Sequence, residues 1–273
     1  MADYELLRFE HCDSTNDYLK QLLPTLDSCQ LPLAVLAAEQ SAGHGRLGRS
    51  WSSPAGGIYL SLLLPQPVNA VQAACLPLVM ALAARSAMQL HSEYRLAIKW
   101  PNDLLAVTPS HTLGKLAGIL VELVDNRAII GIGVNAARSS PQKNVELAVD
   151  EAATDTAEPA KNDGGLAQVW LDYPHLQEVE IARQRAAQLA EPLLNEMLGY
   201  IARWQSADHS FADFVDEYNA NLVQLNQPVQ VFDASAALLA DGIALGVDEI
   251  GRLLVQTETG LVRVATGDVT LRK

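Results

Sequence analysis

The sequence predicts an α+β protein: a mixed β-sheet with helices on one side, followed by a small β-barrel at the C-terminus. Closely spaced apolar segments between residues 97 and 134 indicate paired strands of one sheet. Two long helical patterns, at residues 68–90 and 178–204, can supply the layer that covers this sheet. After residue 226 only short strands and turns remain. We therefore place a larger domain at residues 1–225 and a smaller one at residues 226–273.

The first half of the chain alternates short strands with two helices. Ser14 and Thr15 offer side-chain oxygens that can cap a helix over the residues that follow. Residues 41–54 are polar and rich in glycine and arginine, which predicts a loop. The remaining predicted elements are strands at residues 6–9, 33–38 and 58–64 and a long helix at residues 68–90.

The second half begins with four predicted strands, at residues 97–100, 104–107, 116–124 and 128–134. Residues 138–165 are polar and acidic, which predicts a surface insertion or flexible loop. Helices are predicted at residues 178–204 and 211–220. Short strands at residues 229–232, 237–245, 253–257 and 261–265 follow, with turns between them. This last pattern is typical of a small β-barrel of SH3-like size.

The composition restricts the class of partner and the compartment. A net charge of -13 argues against broad electrostatic binding of nucleic acid or of an anionic membrane. Cys12, Cys29 and Cys75 lie far apart without a CxxC spacing, which suits a reducing compartment. The N-terminus has neither the basic nor the apolar region of a signal peptide. We therefore expect a cytoplasmic protein, and the isolated histidines predict no metal site.

The most informative segment is GHGRLGRSW at residues 43–51. Its glycines let the backbone approach a ligand closely, and successive backbone amides can form a nest for an anion. Arg46 and Arg49 add permanently charged groups suited to carboxylate and phosphate. A surface hairpin with solvated arginines is the alternative. No dinucleotide-binding helix pattern follows, so a Rossmann site is not expected.

Three further segments are ambiguous when each is taken alone. KWPND at residues 99–103 places Lys99, Asn102 and Asp103 around a rigid proline, but the same residues suit a plain β-turn. GKLAGILVE at residues 114–122 opens an apolar strand with Lys115, which either reaches the surface or points at a bound anion. Gly118 and the glycines of GIGVN at residues 131–135 leave room for a ligand or mark a bulge.

Together and in this order, these segments resemble the biotin–protein ligase family. The matching pieces are Ser14-Thr15-Asn16, Gln40, GHGRLGRSW, KWPNDLL, KLAGILVEL and GIGVN, and GDVTLR at residues 267–272 resembles the family's closing motif. The resemblance is dense from residue 12 to residue 135 and thins through the acidic stretch and the helices. It implies the mixed-sheet fold of class II aminoacyl-tRNA synthetases and biotin ligases, with an SH3-like terminal barrel.

The resemblance implies an enzyme that uses ATP and magnesium to convert biotin into biotinoyl-5′-AMP and then transfers biotin to a lysine of the biotin carboxyl carrier protein. It implies Arg46, Lys115 and Asp103 as catalytic residues. For biotin it implies Ser14, Thr15, Asn16, Gln40, Gly43, His44, Gly45, Arg46, Lys115 and Gly118. For ATP it implies Arg49, Trp51, Lys99, Asn102, Asn135 and Arg272.

One position departs from the family pattern. The loop often begins Gly-Arg-Gly-Arg, and here His44 stands where the first arginine would be. A histidine is usually neutral near pH 7, so the loop loses one fixed cation. We expect a weaker grip on the adenylate but no loss of the reaction, because Arg46 and Lys115 are present.

Three alternative functions fit the sequence less well than a biotin–protein ligase does. Lipoate or octanoate transferases share the fold but need an apolar tunnel and different signature loops. A biotin-sensing repressor would carry a DNA-binding domain first, and only thirteen residues precede Ser14, so the monofunctional type is expected. A non-catalytic biotin binder is disfavoured by Arg46, Asp103 and Lys115 together. The oligomeric state stays open, since the fold can pair edge strands into a homodimer but no apolar edge is marked.

Overall fold

The computed structural model describes residues 3–26, 31–108, 112–136 and 179–271. Seven strands form the first sheet, in the order β1-β2-β3-β7-β6-β5-β4. They are β1 Glu5–Cys12, β2 Leu33–Gln40, β3 Ile58–Pro67, β4 Arg95–Lys99, β5 Asp103–Val107, β6 Thr112–Val124 and β7 Arg127–Val134. β1 runs parallel to β2, and the other neighbours are antiparallel. The predicted mixed sheet is confirmed.

The helices are distributed over the two faces of this sheet. They are α1 Thr15–Leu22, α2 Ala70–Ala73, α3 Leu76–Gln89, α4 Val179–Ser206 and α5 Val215–Asn221. The long helices α3 and α4 pack with Leu62 and Ile130 into the main core, so the predicted helical layer on one side holds for these two helices. The short α1 packs on the opposite face, where Leu19 contacts a cluster containing Leu63 and Ile129. Neighbouring residues of one strand serve both layers because side chains alternate across a sheet.

The predicted helix at residues 68–90 is divided in two. Asn69 caps α2 in a reciprocal capping box with Gln72, and the chain breaks before Pro77, which lies in the first turn of α3. Proline lacks the N–H that a helix interior needs, so the second helix begins there. The segment Ala70–Gln89 is long and apolar enough to cross a membrane by composition, but 61% of its most apolar window is buried inside the fold.

The second sheet has five antiparallel strands in the order β11-β10-β9-β8-β12. They are β8 Pro228–Phe232, β9 Leu238–Val247, β10 Leu253–Thr257, β11 Gly260–Val264 and β12 Asp268–Leu271. The last strand, which pairs with β8, was not predicted. The separate C-terminal sheet is confirmed, and the domain limits at residues 225 and 226 stay a prediction. The acidic stretch at residues 138–165 lies outside the described residues.

Trp100 joins the two sheets at the turn between β4 and β5. Its indole Nε1 donates to the carbonyl of Gly251, in the turn that connects β9 and β10 of the second sheet, at 3.0 Å. Gln224 accepts from the backbone N–H of Trp100 at 3.1 Å and is completely buried. The peptide bond between Trp100 and Pro101 is cis. Both sheets therefore hold the turn that carries Asn102 and Asp103.

Candidate functional site

A depression, here called the polar cavity, opens on the α1 face of the large sheet. Three adjacent strands present small residues there: Ser61 on β3 pairs with Gly131 on β7, and Gly133 on β7 pairs with Gly118 on β6. Large side chains at these positions would fill the space between the sheet and α1. The cavity is lined by Ser14, Thr15, Asn16, Gln40, His44, Gly45, Trp51, Tyr59, Ser61, Asn102, Lys115, Gly118, Ile119, Leu120, Gly131, Ile132 and Gly133.

The first turn of α1 supplies the polar floor of this cavity. Ser14 caps the helix by accepting from the N–H of Asp17 at 3.4 Å. The next two side chains, Thr15 and Asn16, are each 4% exposed and point inward. Asn16 lies directly on Gly131, where an added Cβ would come within 2.4 Å of Asn16 Oδ1. The glycine is therefore required for Asn16 to occupy this place.

Ser61 connects the floor residues by short contacts. Its Oγ lies 2.6 Å from Thr15 Oγ1 and 2.5 Å from Asn16 Oδ1. Asn16 Nδ2 in turn donates to Glu122 Oε2 at 2.8 Å. Gln40 Oε1 accepts from the backbone N–H of Thr15 at 2.9 Å. These groups are held in place by protein hydrogen bonds before any ligand enters.

The glycine-rich segment at residues 43–51 folds as a tight loop over the cavity. Backbone bonds from Trp51 N to Gly43 O (2.8 Å) and from Gly45 N to Arg49 O (2.7 Å) close it. A Cβ at Gly43 would lie 2.6 Å from Ser53 Oγ, so a side chain there would push the loop away. The Trp51 indole covers Gly133, where a Cβ would come within 2.5 Å of Nε1. The loop therefore seats one large ring in the space left by the sheet glycines.

Lys115 and Asp103 form a buried ion pair beside the cavity. Lys115 Nζ lies 2.9 Å from Asp103 Oδ1, and the two side chains are 1% and 10% exposed. The same ammonium lies 5.1 Å from the centre of the Trp51 ring, within cation–π range. The sequence left open whether the Lys115 side chain reaches the surface or points into a site. The first alternative is wrong, because the side chain is buried and lines the cavity. Asp103 offsets the charge of this buried ammonium, so removing either partner would leave the other buried without its counter-charge.

A second depression, here called the basic pocket, adjoins the polar cavity at Asn102. It is lined by Arg46, Arg49, Lys99, Trp100, Pro101, Asn102, Asp103, Asp268, Val269 and Thr270. Asn102 is fixed as the shared wall, because its Nδ2 donates to Ile119 O (2.8 Å) and its Oδ1 accepts from Arg46 Nη1 (3.0 Å). Burial lowers the pKa of Lys99, with the neighbouring Asp103 opposing this shift.

The second sheet closes the basic pocket with an acidic residue. Asp268 forms an ion pair with Arg49, and its Oδ1 lies 4.0 Å from Arg46 Nη1. Arg46 Nη2 also donates to the carbonyl of Gly267 at 3.4 Å. The two loop arginines are thus held against β12 by a carboxylate of the protein itself.

His44 meets a charged cluster at the edge of the cavity. Its Nδ1 lies 3.6 Å from Asp17 Oδ2 and its Nε2 lies 3.8 Å from Glu122 Oε2. Lys20 lies between the two acids, 2.8 Å from Asp17 and 2.7 Å from Glu122. His44, which stands where the family often has an arginine, therefore lies beside acidic residues on α1 and β6.

The structure brings most of the predicted site residues together around these two depressions. Asn135 is an exception, because it lies behind Lys115, with its Nδ2 donating to the Lys115 carbonyl at 3.1 Å. Trp51 lines the polar cavity and not the basic pocket. Arg272 lies outside the described residues. Within the ranges that the structure describes, no group of three or more His, Cys, Asp or Glu side chains could hold a metal ion.

Three residues of the site were not singled out from the sequence. Ser61 is a polar residue in the middle of the apolar strand IYLSLLL, which was a usable signal. Glu122 and Asp268 belong to quoted motifs but received no role. Only the three-dimensional contacts show that Glu122 reaches Asn16 and that Asp268 reaches Arg49.

Comparisons with known proteins agree over nearly the whole chain. The model of the biotin/lipoate A/B protein ligase family matches residues 9–136, and that of the biotin protein ligase C-terminal domain matches residues 225–272. The chain is 31% identical to the biotin–[acetyl-CoA-carboxylase] ligase of Paracoccus denitrificans, over 94% of this chain and 96% of the relative. It is 29% identical to a bifunctional ligase/repressor of Escherichia coli, over 95% of this chain and 72% of the relative.

Solved structures of biotin protein ligases also align with nearly the whole chain. A biotin protein ligase from Aquifex aeolicus in complex with biotin and ATP aligns with a TM-score of 0.71 and 25% identity, covering 98% of this chain and 99% of that one. An apo structure of the Aquifex aeolicus protein aligns with a TM-score of 0.67 and 22% identity, covering 99% of this chain and 100% of that one. Because the apo structure is only 22% identical to this chain, its similarity supports the fold alone.

Proposed function

Because this chain belongs to the biotin/lipoate A/B protein ligase family, we propose that it is a biotin–protein ligase that forms biotinoyl-5′-AMP from biotin and ATP and transfers biotin to a lysine of the biotin carboxyl carrier protein. One observation carries the proposal: the polar cavity, lined by the buried Lys115, and the basic pocket lie side by side and share Asn102. This arrangement suits a ligand with a neutral polar head and a carboxylate that meets a phosphate.

Biotin is proposed to place its ureido ring on the floor of the polar cavity. Ser14, Thr15, Asn16 and Gln40 offer hydroxyl and amide groups there. The biotin carboxylate then lies toward Arg46 and Lys115, whose charges offset its own. The loop backbone at Gly43, His44 and Gly45, together with the open space at Gly118, completes the proposed binding surface.

ATP is proposed to bind in the basic pocket. Arg49, Lys99 and Asn102 line it and can contact the phosphates or the nucleoside. Because Asp268 forms an ion pair with Arg49, a phosphate that binds Arg49 would compete with this carboxylate. Contacts of Trp51, Asn135 and Arg272 with the nucleotide stay predictions.

The proposed reaction has two steps. A biotin carboxylate oxygen attacks the α-phosphorus of ATP, and the bond to pyrophosphate breaks. The acceptor lysine, as a free amine, then attacks the biotinoyl carbonyl carbon, loses a proton, and AMP leaves. Both steps build negative charge on oxygen atoms, which preorganised cations such as Arg46 and Lys115 stabilise. Asp103 is proposed to orient the incoming amine and to accept the proton that its nitrogen loses after the attack.

Magnesium is proposed to accompany the triphosphate. The carboxylates of the basic pocket already have cationic partners, Lys115 for Asp103 and Arg49 for Asp268. Such a donor set fits an ion that keeps several waters and binds mainly through phosphate oxygens, as Mg²⁺ commonly does. Its contribution would be to neutralise phosphate charge.

We propose the cellular compartment and the class of partner from the composition of the chain. Cys12 and Cys75 are free thiols, in keeping with a reducing cytoplasm. The net charge of -13 disfavours DNA or membrane as a partner. A homodimer through an edge strand is the alternative to a monomer.

The test is an assay of the purified protein with biotin, ATP, Mg²⁺ and an apo biotin-carrier domain, read by intact mass. A mass gain of one biotin on the carrier is expected, absent with Lys115→Ala and unchanged with Arg203→Ala, which removes a surface ion pair on α4. Absence of any gain with the wild type would contradict the ligase assignment. Lipoate and octanoate as alternative substrates would then show whether the chain is a transferase of the related class.

A further inference from the structure

A side-chain amide continues the hydrogen bonding of the edge strand β4. This strand is the last one of the large sheet, and the residues that follow α5 run parallel to it, with a bridge between Ile98 and Leu222. Val223 N donates to Ile98 O at 2.8 Å. Just beyond the end of the strand, Trp100 N donates to the side-chain oxygen Oε1 of Gln224 at 3.1 Å. The amide of Gln224 thus extends a ladder that backbone groups begin.

The contact with Trp100 determines which way the Gln224 amide faces. A backbone N–H can only donate, so the amide oxygen has to point toward it. The amide nitrogen Nε2 then donates to the carbonyl of the same residue, at 3.4 Å, which is the weaker bond because it is longer. Gln224 is 0% exposed and Trp100 is 1% exposed. Loss of the amide would therefore leave a buried backbone N–H unsatisfied, which is costly.

Trp100 begins the turn that carries Asp103. Lys99, the residue before it, pairs with Asp103 across this turn, and Asp103 Oδ1 lies 2.9 Å from Lys115 Nζ. Gln224 holds the backbone at the start of the turn, at both polar groups of one residue. Because the turn is short, a displacement of Trp100 would move the Asp103 carboxylate relative to Lys115.

We propose that Gln224 is a positioning residue for the transfer of biotin to the acceptor lysine: it holds Trp100 and thereby sets the place of Asp103. This inference rests on the proposed function, in which Asp103 orients the incoming amine. A displacement of about 1 Å caused far from the reacting atoms can slow a reaction by about a hundredfold. Biotin binding is spared, because the polar floor of the cavity is built from α1, β2 and β3.

The first test is Gln224→Met, which keeps the length of the side chain but has no N–H donor and only a weak acceptor. Enzyme loaded with biotin and ATP is mixed with an apo biotin-carrier domain, and rapid quenching gives the single-turnover rate of transfer. Gln224→Met should lower this rate by about tenfold or more and leave the dissociation constant for biotin within about twofold. Gln227→Met, the same substitution at an exposed glutamine nearby, should change neither quantity.

A double variant separates an effect through Asp103 from a general effect on the fold. In Asp103→Asn the carboxylate is already absent, so adding Gln224→Met should slow transfer by less than about threefold further. A loss as large as in the wild-type background would overturn the proposal, because Gln224 would then act independently of Asp103. An unchanged transfer rate in Gln224→Met alone would overturn it as well.

Gln224→Glu tests for rescue by a conservative change. At about pH 6 a buried carboxyl remains protonated, and its carbonyl oxygen and O–H group can replace the two contacts of the amide. Gln224→Glu should therefore transfer biotin within about threefold of the wild-type rate at this pH. A loss equal to that in Gln224→Met would contradict the proposal. A wild type that forms no biotinoyl-adenylate would overturn the proposed function instead.

Discussion

The polar cavity and the basic pocket share Asn102 as a wall but satisfy their polar groups in different ways. In the cavity, neutral side chains such as Thr15 and Ser61 are hydrogen-bonded to each other and to Asn16. In the basic pocket, Arg49 is paired with Asp268, a charge brought by the second sheet. The polar groups of the cavity are paired with neutral groups, whereas the cation Arg49 of the basic pocket is paired with a protein anion.

This difference indicates two kinds of recognition. A rigid hydrogen-bonded wall rejects ligands whose donors and acceptors are misplaced, because an unmatched buried group is costly. An ion pair at a partly open surface exchanges easily, because its two charges keep much of their hydration. We therefore expect selectivity for the acid substrate to lie in the cavity, and affinity for the nucleotide to depend on exchange of Asp268 for phosphate.

The largest effect is expected at Lys115, the buried cation that lines the polar cavity. Lys115→Met should lower kcat by about a hundredfold or more and should destabilise the fold by about 3 kcal/mol, because it leaves Asp103 buried without its cation. The double variant Lys115→Met with Asp103→Asn should recover most of the stability but none of the activity. Urea unfolding and single-turnover kinetics measure the two quantities. Recovery of activity in the double variant would contradict a role of Lys115 in the reaction.

Lys99 offers a way to separate binding from folding in the basic pocket. Lys99→Met should raise the KM for ATP by about tenfold, as expected for a lost charge-assisted contact, and leave the KM for biotin within about twofold. Because burial lowers the pKa of Lys99, the folded protein releases this proton at a lower pH than the unfolded chain does. The wild type should therefore gain stability relative to Lys99→Met as the pH rises from the lowered pKa toward the unfolded value of about 10.4. Denaturant midpoints of the two proteins across this alkaline range check the sign, and a flat difference would contradict it.

Asp268 tests whether the internal anion competes with ATP. Asp268→Asn removes the carboxylate that pairs with Arg49 and should lower the KM for ATP by about threefold, in proportion to the small energy of a partly exposed pair. The exposed Asp216 provides a matched control, since Asp216→Asn removes the same charge away from the pocket. A rise in the KM for ATP in Asp268→Asn would mean that Asp268 organises the pocket and does not compete for it.

The smallest effect is expected at His44, on the rim of the cavity. An arginine would remain charged between Asp17 and Glu122 at all working pH values. His44→Arg should therefore slow the release of biotinoyl-adenylate by about two- to threefold at pH 8. Filter binding of the labelled adenylate measures this rate, and equal rates in the two proteins would remove His44 as the cause of weaker retention.

Much of the fold could be predicted from periodicity alone, and the failures have local causes. The predicted helix at residues 68–90 overlooked that Pro77 has to begin a new helix. The strand Asp268–Leu271 was overlooked because four residues are too few to show alternation, and its pairing with β8 is long-range information. The position of α1 on the opposite face follows from Leu33 and Val35 being buried as well as Ala34 and Leu36, which a continuous apolar run cannot disclose.

The site was predictable where a motif carries its own chemistry, as at Arg46 and Lys115. It was not predictable where a residue acts through partners distant in sequence. Glu122 and Asn16 are 106 positions apart, and Arg49 and Asp268 are 219 apart. No spacing rule connects such pairs, because only the crossing of strands and the docking of the second sheet bring them together.

The bond from Trp100 to Gly251 also has a consequence for protein engineering. The turn that carries Asn102 and Asp103 is held partly by a carbonyl of the C-terminal sheet, and Arg46 donates to another carbonyl there. A cut in the short connection before Pro228 would leave this turn and these two carbonyls on different pieces. We therefore expect biotin transfer by the cut protein to depend on the association of the two pieces.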